Sequence, residues 1–213
     1  MATPRFVFDY LSPYSYLAHR RLASFPRLAR VEPTPVVLGS ILSHRGVQGP
    51  GEEDRRRWAG LVDILLLAAQ YGCPMVGPAK HPFNSVPAMR CTLAAPPDLR
   101  PAVSARFFDA AWGEGEDLED HAVLRRLLAE AGAPRVDPEV AVYDKEIRAE
   151  LKRTTKAFIE AGGFGVPTIW TDAHLFFGHD RLELANAFLD GQVRLDRDTL
   201  ERMWSRPRPP RLT

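Results

Sequence analysis

Strand-like sequence occurs only near the two ends of this chain, and a long stretch of helical pattern from Gly39 to Gly163 separates the two groups. Arg5 to Tyr10, rich in Phe and Val, reads as a short buried strand that stops at Leu11-Ser12-Pro13. Ser at an N-cap followed by Pro at the first helical position predicts a helix over Pro13–Ser24, with Tyr16, Leu17 and Leu22 on its apolar side. Val31 to Leu38 reads as a second strand, which Pro33 and Pro35 confine to an edge or a late start. Trp58, Leu61, Leu65 and Ala68 then recur at helical spacing, as do Val140, Tyr143, Ile147 and Leu151 in a long helix ended by Gly162-Gly163. Between them lie a Pro-rich loop over 74–87, a helix through Ala88, and helices at 101–112 and 119–131, the last ended by Gly132 and Pro134. Strands return at Thr168–Thr171 and His174–Phe177, around an Asp172-Ala173 turn. A helix over Arg181–Leu189 follows, with a shorter one near Asp198 and a Pro-rich, basic and mobile tail from Ser205. The expected fold is α/β, with residues 1–40 and 160–213 forming one domain around an all-helical insertion, residues 41–159.

Charge narrows the function. Lys plus Arg is 28 and Asp plus Glu is 27, so the net charge of +1 offers no field for nucleic acid or an anionic membrane. The longest uncharged run, Ile64 to Ala79, contains Gln70, Gly72, Pro74 and Pro78 and does not read as a membrane span. Met-Ala-Thr-Pro-Arg lacks the features of a secretory signal, which favours the cytoplasm. Cys73 and Cys91 form no CxxC pair and are expected as reduced, buried thiols, one disulfide being the alternative. His44, His81, His121, His174 and His179 show no metal-binding spacing, so no metal site is expected, and His19 is read as structural or solvated. Glu52-Glu53-Asp54 before three arginines fits helix electrostatics. Neither a P-loop nor a GxGxxG motif is present.

Three segments carry chemistry. Ser12, at the end of a strand, either only caps its helix or also presents its hydroxyl, beside free N–H groups, to an anion such as a thiolate. A few kcal/mol from dipole and hydrogen bond together corresponds to about one to three units of thiol pKa. Gly163-Phe164-Gly165-Val166-Pro167-Thr168 either starts a strand with a trans Pro or turns a cis corner that frees the Val166 backbone to pair with an extended peptide. In Gly178-His179-Asp180-Arg181-Leu182, Asp180 either caps the last helix or receives a ligand amino group, while the N–H groups beside it take a carboxylate.

In this order, and together with Ala111-Trp112-Gly113-Glu114-Gly115 and His81-Pro82-Phe83-Asn84, these segments resemble the kappa-class glutathione transferases and 2-hydroxychromene-2-carboxylate isomerases, on the disulfide-oxidase side of the thioredoxin superfamily. The resemblance spans residues 5 to 190. It implies a thioredoxin-like domain interrupted by a helical insertion, a homodimer, and a site in the cleft between the domains with Ser12 at its floor. It also implies that Ser12 contacts the sulfur of glutathione. Val166, before cis-Pro167, pairs with the cysteinyl part, and Gly178, His179, Asp180 and Arg181 hold the γ-glutamyl end, with Asp180 on its amino group. With Ser for Cys, disulfide exchange has no protein nucleophile. Gly46-Val47-Gln48 stands where the family has a Gly-Asn loop, so Gln48 either takes over that contact or it is absent. Lys80-His81 replaces smaller polar residues of the isomerase near the second substrate, where Asn84 also lies. Lys80 and Arg90 either attract a substrate carboxylate or are solvated. The implied reaction is glutathione-dependent isomerisation of 2-hydroxychromene-2-carboxylate or a similar small aromatic carboxylate. A kappa-type transferase or peroxidase and a non-catalytic glutathione-binding module are the alternatives.

Overall fold

The computed structural model describes residues 3–49 and 54–207. Four short strands make one mixed sheet: β1 (Arg5–Phe8), β2 (Glu32–Pro35), β3 (Thr168–Trp170) and β4 (Leu175–Phe177), in the order β2-β1-β3-β4. β1 is parallel to β2, with Phe8 opposite Pro35, and antiparallel to β3, with Val7 opposite Thr168. β2 lies on the edge, where a proline that cannot donate to a ladder is tolerated. β3 and β4 form the expected hairpin, closed by Thr171 N–H donating to the His174 carbonyl.

The helices are α1 (Pro13–Arg21, continued as a 3-10 turn to Ser24), α2 (Leu38–Arg45), α3 (Asp54–Tyr71), α4 (Val86–Ala94), α5 (Arg100–Phe108), α6 (His121–Glu130), α7 (Pro138–Tyr143), α8 (Lys145–Glu160), α9 (Leu182–Leu189) and α10 (Arg197–Trp204). A π-helical turn, Asp109–Glu114, extends α5. The fold is the thioredoxin-like α/β arrangement with a large helical insertion between β2 and β3. Among the described residues no helix is long and apolar enough to cross a membrane.

Several expectations need correction. The second strand ends at Pro35, not Leu38, because the Val37 and Leu38 N–H groups turn to Thr155 Oγ1 and Asp9 Oδ2 and start α2. The helix through Val140 and Leu151 is two helices. Asp144 between them is extended, and its carboxylate caps α8 by accepting from Ile147 N–H. On α3 the residues buried are Ile64 and Ala68, whereas Trp58, Leu61 and Leu65 are exposed, since only one edge of the apolar arc is covered. Both cysteines are free thiols, but Cys73 is only half-buried. The glutamates before Asp54 and the tail beyond Pro207 lie outside the described residues.

Period-two alternation in β1 sets the packing. Phe6 and Phe8 join a large cluster with Tyr10, Tyr16, Met89, Phe107 and Phe108, while Val7 faces Val36, Ile41, Phe158 and Val166 on the other side. The ring of Phe108 lies 5.2 Å from Phe8 and 4.7 Å from Tyr10, so insertion helices supply the rings on which the sheet packs. Each fully buried ring of this kind stabilises the fold by roughly 1.5–3 kcal/mol.

Candidate functional site

β1 delivers the chain to the N-terminus of α1, and the turn between them is held by a buried carboxylate. Asp9 is 1% exposed. Its Oδ1 accepts from Leu11 N–H (3.0 Å) and the Ser85 hydroxyl (2.5 Å), and its Oδ2 accepts from Leu38 N–H (2.9 Å). One side chain thus ties the β1–α1 turn to the starts of α2 and α4. Burial pushes its pKa up, and the hydrogen bonds from Ser85, Leu11 and Leu38 pull the other way. Sequence reasoning gave Asp9 no role, although a lone charge between an apolar strand and a capping serine was the available signal.

Ser12 sits at the cap of α1 with extended backbone angles, and its Oγ accepts from Ser15 N–H at 3.2 Å. The residue is 6% exposed. Capping occupies a lone pair of the hydroxyl and leaves its proton available to donate.

The second segment reaches the same end of the sheet. Continuing the antiparallel register of β1 and β3 by two residues places Val166 opposite Asp9. The Val166–Pro167 bond is cis. Among the described residues, none forms a hydrogen bond with the Val166 backbone.

The third segment is fastened to both of the others. Gly178 N–H donates to the Pro167 carbonyl at 2.9 Å. Gly178 has φ +114° and ψ 150°, a conformation open essentially to glycine alone, and a Cβ there would collide with Asp180 Oδ1. The His179 ring stacks on Tyr14 of α1, with centroids 5.4 Å apart and planes at 15°. Its Nδ1 lies 3.3 Å from the Tyr71 hydroxyl, and Arg21 lies over the Tyr71 ring at 4.2 Å. The Tyr14 hydroxyl donates to Asp63 Oδ2 at 2.7 Å. Burial pushes the His179 pKa down, and burial with Asp63 beside it pushes the Tyr14 phenol up. Tyr14, Asp63 and Tyr71 thus belong to the site's frame and were given no role from sequence. Asp180 is not a helix cap. A 3-10 turn over His179–Arg181 precedes α9, and the Asp180 carboxylate pairs with Arg181 at 2.5 Å, both half-exposed.

The loop around residue 81 also meets the β1–α1 turn. His81 Nε2 lies 3.1 Å from the Leu11 carbonyl, and its ring meets Trp112 edge-on, with centroids 5.6 Å apart. Trp112 Nε1–H donates to the Tyr10 carbonyl at 2.8 Å. Lys80 pairs with Glu119 at 3.0 Å, Glu119 accepts from Asn84 N–H, and Asn84 Oδ1 accepts from Val86 N–H at the start of α4. The Arg90 guanidinium donates to the Val142 carbonyl at 2.6 Å. Lys80 and Arg90 are therefore engaged within the protein, one by a carboxylate and one by a backbone carbonyl. Gln48 is exposed just past Gly46, which ends α2, and among the described residues no hydrogen bond joins it to Ser12, Val166 or the 178–181 turn. Among the described residues, no group of three or more metal-ligating side chains comes together.

The sequence matches the model of the DSBA-like thioredoxin domain over residues 5–190. It is similar to a 2-hydroxychromene-2-carboxylate isomerase of Pseudomonas putida, 30% identical over 91% of this chain and 97% of the relative. It is also similar to glutathione S-transferase kappa 1 of Rattus norvegicus, 26% identical over 96% of this chain and 93% of the relative. A solved 2-hydroxychromene-2-carboxylate isomerase superposes with a TM-score of 0.81, at 25% identity, covering 93% of this chain and 99% of that one.

Proposed function

Because the chain belongs to the DSBA-like thioredoxin domain family, in the group of 2-hydroxychromene-2-carboxylate isomerases and kappa-class glutathione transferases, we propose that it is a glutathione-dependent isomerase of 2-hydroxychromene-2-carboxylate or a similar aromatic-degradation intermediate. The observation that carries the reading is the convergence of three ligand-type features on one end of the sheet. These are a capping hydroxyl whose proton is not used by the cap, a Val166 backbone without a hydrogen-bond partner among the described residues, and a glycine-dependent turn anchored to Pro167 and to α1.

These residues fit glutathione. Ser12 donates its hydroxyl proton to the sulfur, at a helix N-terminus that favours negative charge. The helix end contributes roughly 0.3–2 kcal/mol and a hydrogen bond to a charged group about 1.5–3 kcal/mol. Together they hold the thiol ionised near neutral pH. Val166 pairs through its backbone with the cysteinyl unit, beside Pro167. Asp180 takes the γ-glutamyl amino group, with Gly178, His179 and Arg181 completing that end. When bound, glutathione supplies a thiolate that adds reversibly to a conjugated carbonyl compound and is released after bond rotation. The protein's share is thiolate stabilisation and orientation. The second substrate is assigned to the side of the 80–84 loop, with Lys80, His81 and Asn84, and Gln48 is kept as an outlying contact. We read residues 1–40 and 160–213 as the thioredoxin-like domain, 41–159 as the insertion, and the working protein as a cytoplasmic homodimer.

Product analysis with glutathione and 2-hydroxychromene-2-carboxylate tests the reading. Glutathione-dependent turnover with glutathione recovered unchanged is expected. Consumption of glutathione across electrophiles instead makes the protein a kappa-type transferase, and binding without turnover makes it a binding module.

A further inference from the structure

At the 80–84 loop the cationic groups are committed and one acceptor is open. Lys80 is paired with Glu119, whose Oε1 takes Asn84 N–H, and Asn84 Oδ1 takes Val86 N–H. Arg90, further along α4, is held by the Val142 carbonyl. His81 is fixed through a single nitrogen, Nε2, 3.1 Å from the Leu11 carbonyl. A carbonyl oxygen only accepts, so Nε2 carries the proton, and in the neutral ring Nδ1 carries a lone pair. No described residue donates to that Nδ1, and Trp112 against the ring edge fixes its direction. The Leu11 carbonyl belongs to the peptide bond that leads into Ser12, so this acceptor stands one imidazole ring away from the serine turn.

We propose that His81 Nδ1 is the specificity-determining acceptor for a hydroxyl group on the second substrate. It selects hydroxyl-bearing aromatic electrophiles over their ethers. The inference rests on the glutathione-dependent reading above and deepens it. An acceptor placed for a hydroxyl discriminates against an analogue that cannot donate, because the acceptor is then left unpaired. Lys80 of the same loop already has a partner in Glu119, which leaves the His81 acceptor as the group open to a hydroxyl.

The test is calorimetric. Wild type, His81→Phe and His81→Asn, each loaded with glutathione, are titrated with two ligands. One is the phenol-bearing trans enone formed by isomerisation, and the other is its O-methyl ether. Wild type is expected to bind the phenol about five- to tenfold tighter than the ether. His81→Phe brings that ratio to about one. His81→Asn, which keeps an acceptor near the Nδ1 position, restores part of it. Equal binding of the two ligands by wild type, or an undiminished ratio in His81→Phe, overturns the assignment; should His81→Phe not fold, an undiminished ratio in His81→Ala does the same. Glutathione titration alone reports the thiol site separately. A wild type that takes no glutathione overturns the functional reading itself, whereas one that takes glutathione but ignores the phenol overturns His81 alone.

Discussion

A serine hydroxyl holds two lone pairs and one proton, and the cap of α1 uses only a lone pair of Ser12. Two roles on one atom predict two separable losses in Ser12→Ala. Helix capping is lost at a cost of about 1 kcal/mol in unfolding free energy. Loss of the hydrogen bond to sulfur raises the pKa of bound glutathione by about one to two units, read as thiolate absorbance against pH. A stability loss with no change in the thiol titration would leave Ser12 as a cap only. Gly178 supports a second prediction. Ala at φ +114° is strained, and its Cβ would displace the Asp180 carboxylate, so Gly178→Ala is expected to weaken glutathione binding by about tenfold or more in a calorimetric titration. Both residues were legible in sequence because their reasons are local: Ser-Pro is a cap signal, and glycine marks unusual backbone. Of the two readings that sequence leaves open for Asp180, the cap fails because nothing in Gly-His-Asp-Arg-Leu reveals the intervening 3-10 turn. The bonds of Asp9 to Leu38 and Ser85, and of His81 to Leu11, join residues far apart in the chain, and no local pattern announces them.

α1 is the element on which the site is built, and its seat contains a histidine in an apolar setting. The His19 ring lies 5.2 Å from that of Phe108 and 6.0 Å from that of Phe6, and its Nδ1 is buried with no hydrogen-bond partner. Burial, with Arg20 adding to it, pushes its pKa from 6.5 down to about 4. The folded protein therefore resists a proton that the unfolded chain accepts. Stability from neutral His19 is fully present above pH 6.5 and is lost as the pH falls towards 4. The loss is on the order of 3 kcal/mol over that range. Denaturant unfolding at several pH values should show it, and His19→Leu should flatten the profile between those limits. If the variant keeps the same slope, the acid sensitivity originates elsewhere. The element boundaries that sequence missed have equally physical causes. Asp144 breaks a helix that apolar periodicity ran through, because a side chain that caps by accepting from Ile147 N–H outweighs the spacing of Val140, Tyr143 and Ile147. Periodicity likewise located α3, but it could not say which edge of the apolar arc would meet α1.

For the whole molecule, chain order was enough to require a sheet assembled across an insertion. Whether the insertion folds by itself is a different matter, decided by the core. Phe6 and Phe8 of β1 and Tyr10 belong to the same buried cluster as Phe107 and Phe108 of α5 and Leu124, Leu127 and Leu128 of α6. Trp112, in the insertion, hydrogen-bonds the Tyr10 carbonyl. Neither segment can lose its partner without exposing these rings, so the two are expected to unfold together despite being separate stretches of sequence. Two native tryptophans report the two parts: Trp112 in the insertion and Trp170 in β3. Variants retaining one or the other should give superimposable denaturation curves. Phe108→Ala, at a completely buried position, should shift both curves by the same amount, about 3–5 kcal/mol. Two separated transitions, or a shift confined to the Trp112 reporter, would mean that the insertion is an independent unit. In that case the positions of Ser12 and His81 would rest on a domain interface and not on one continuous core.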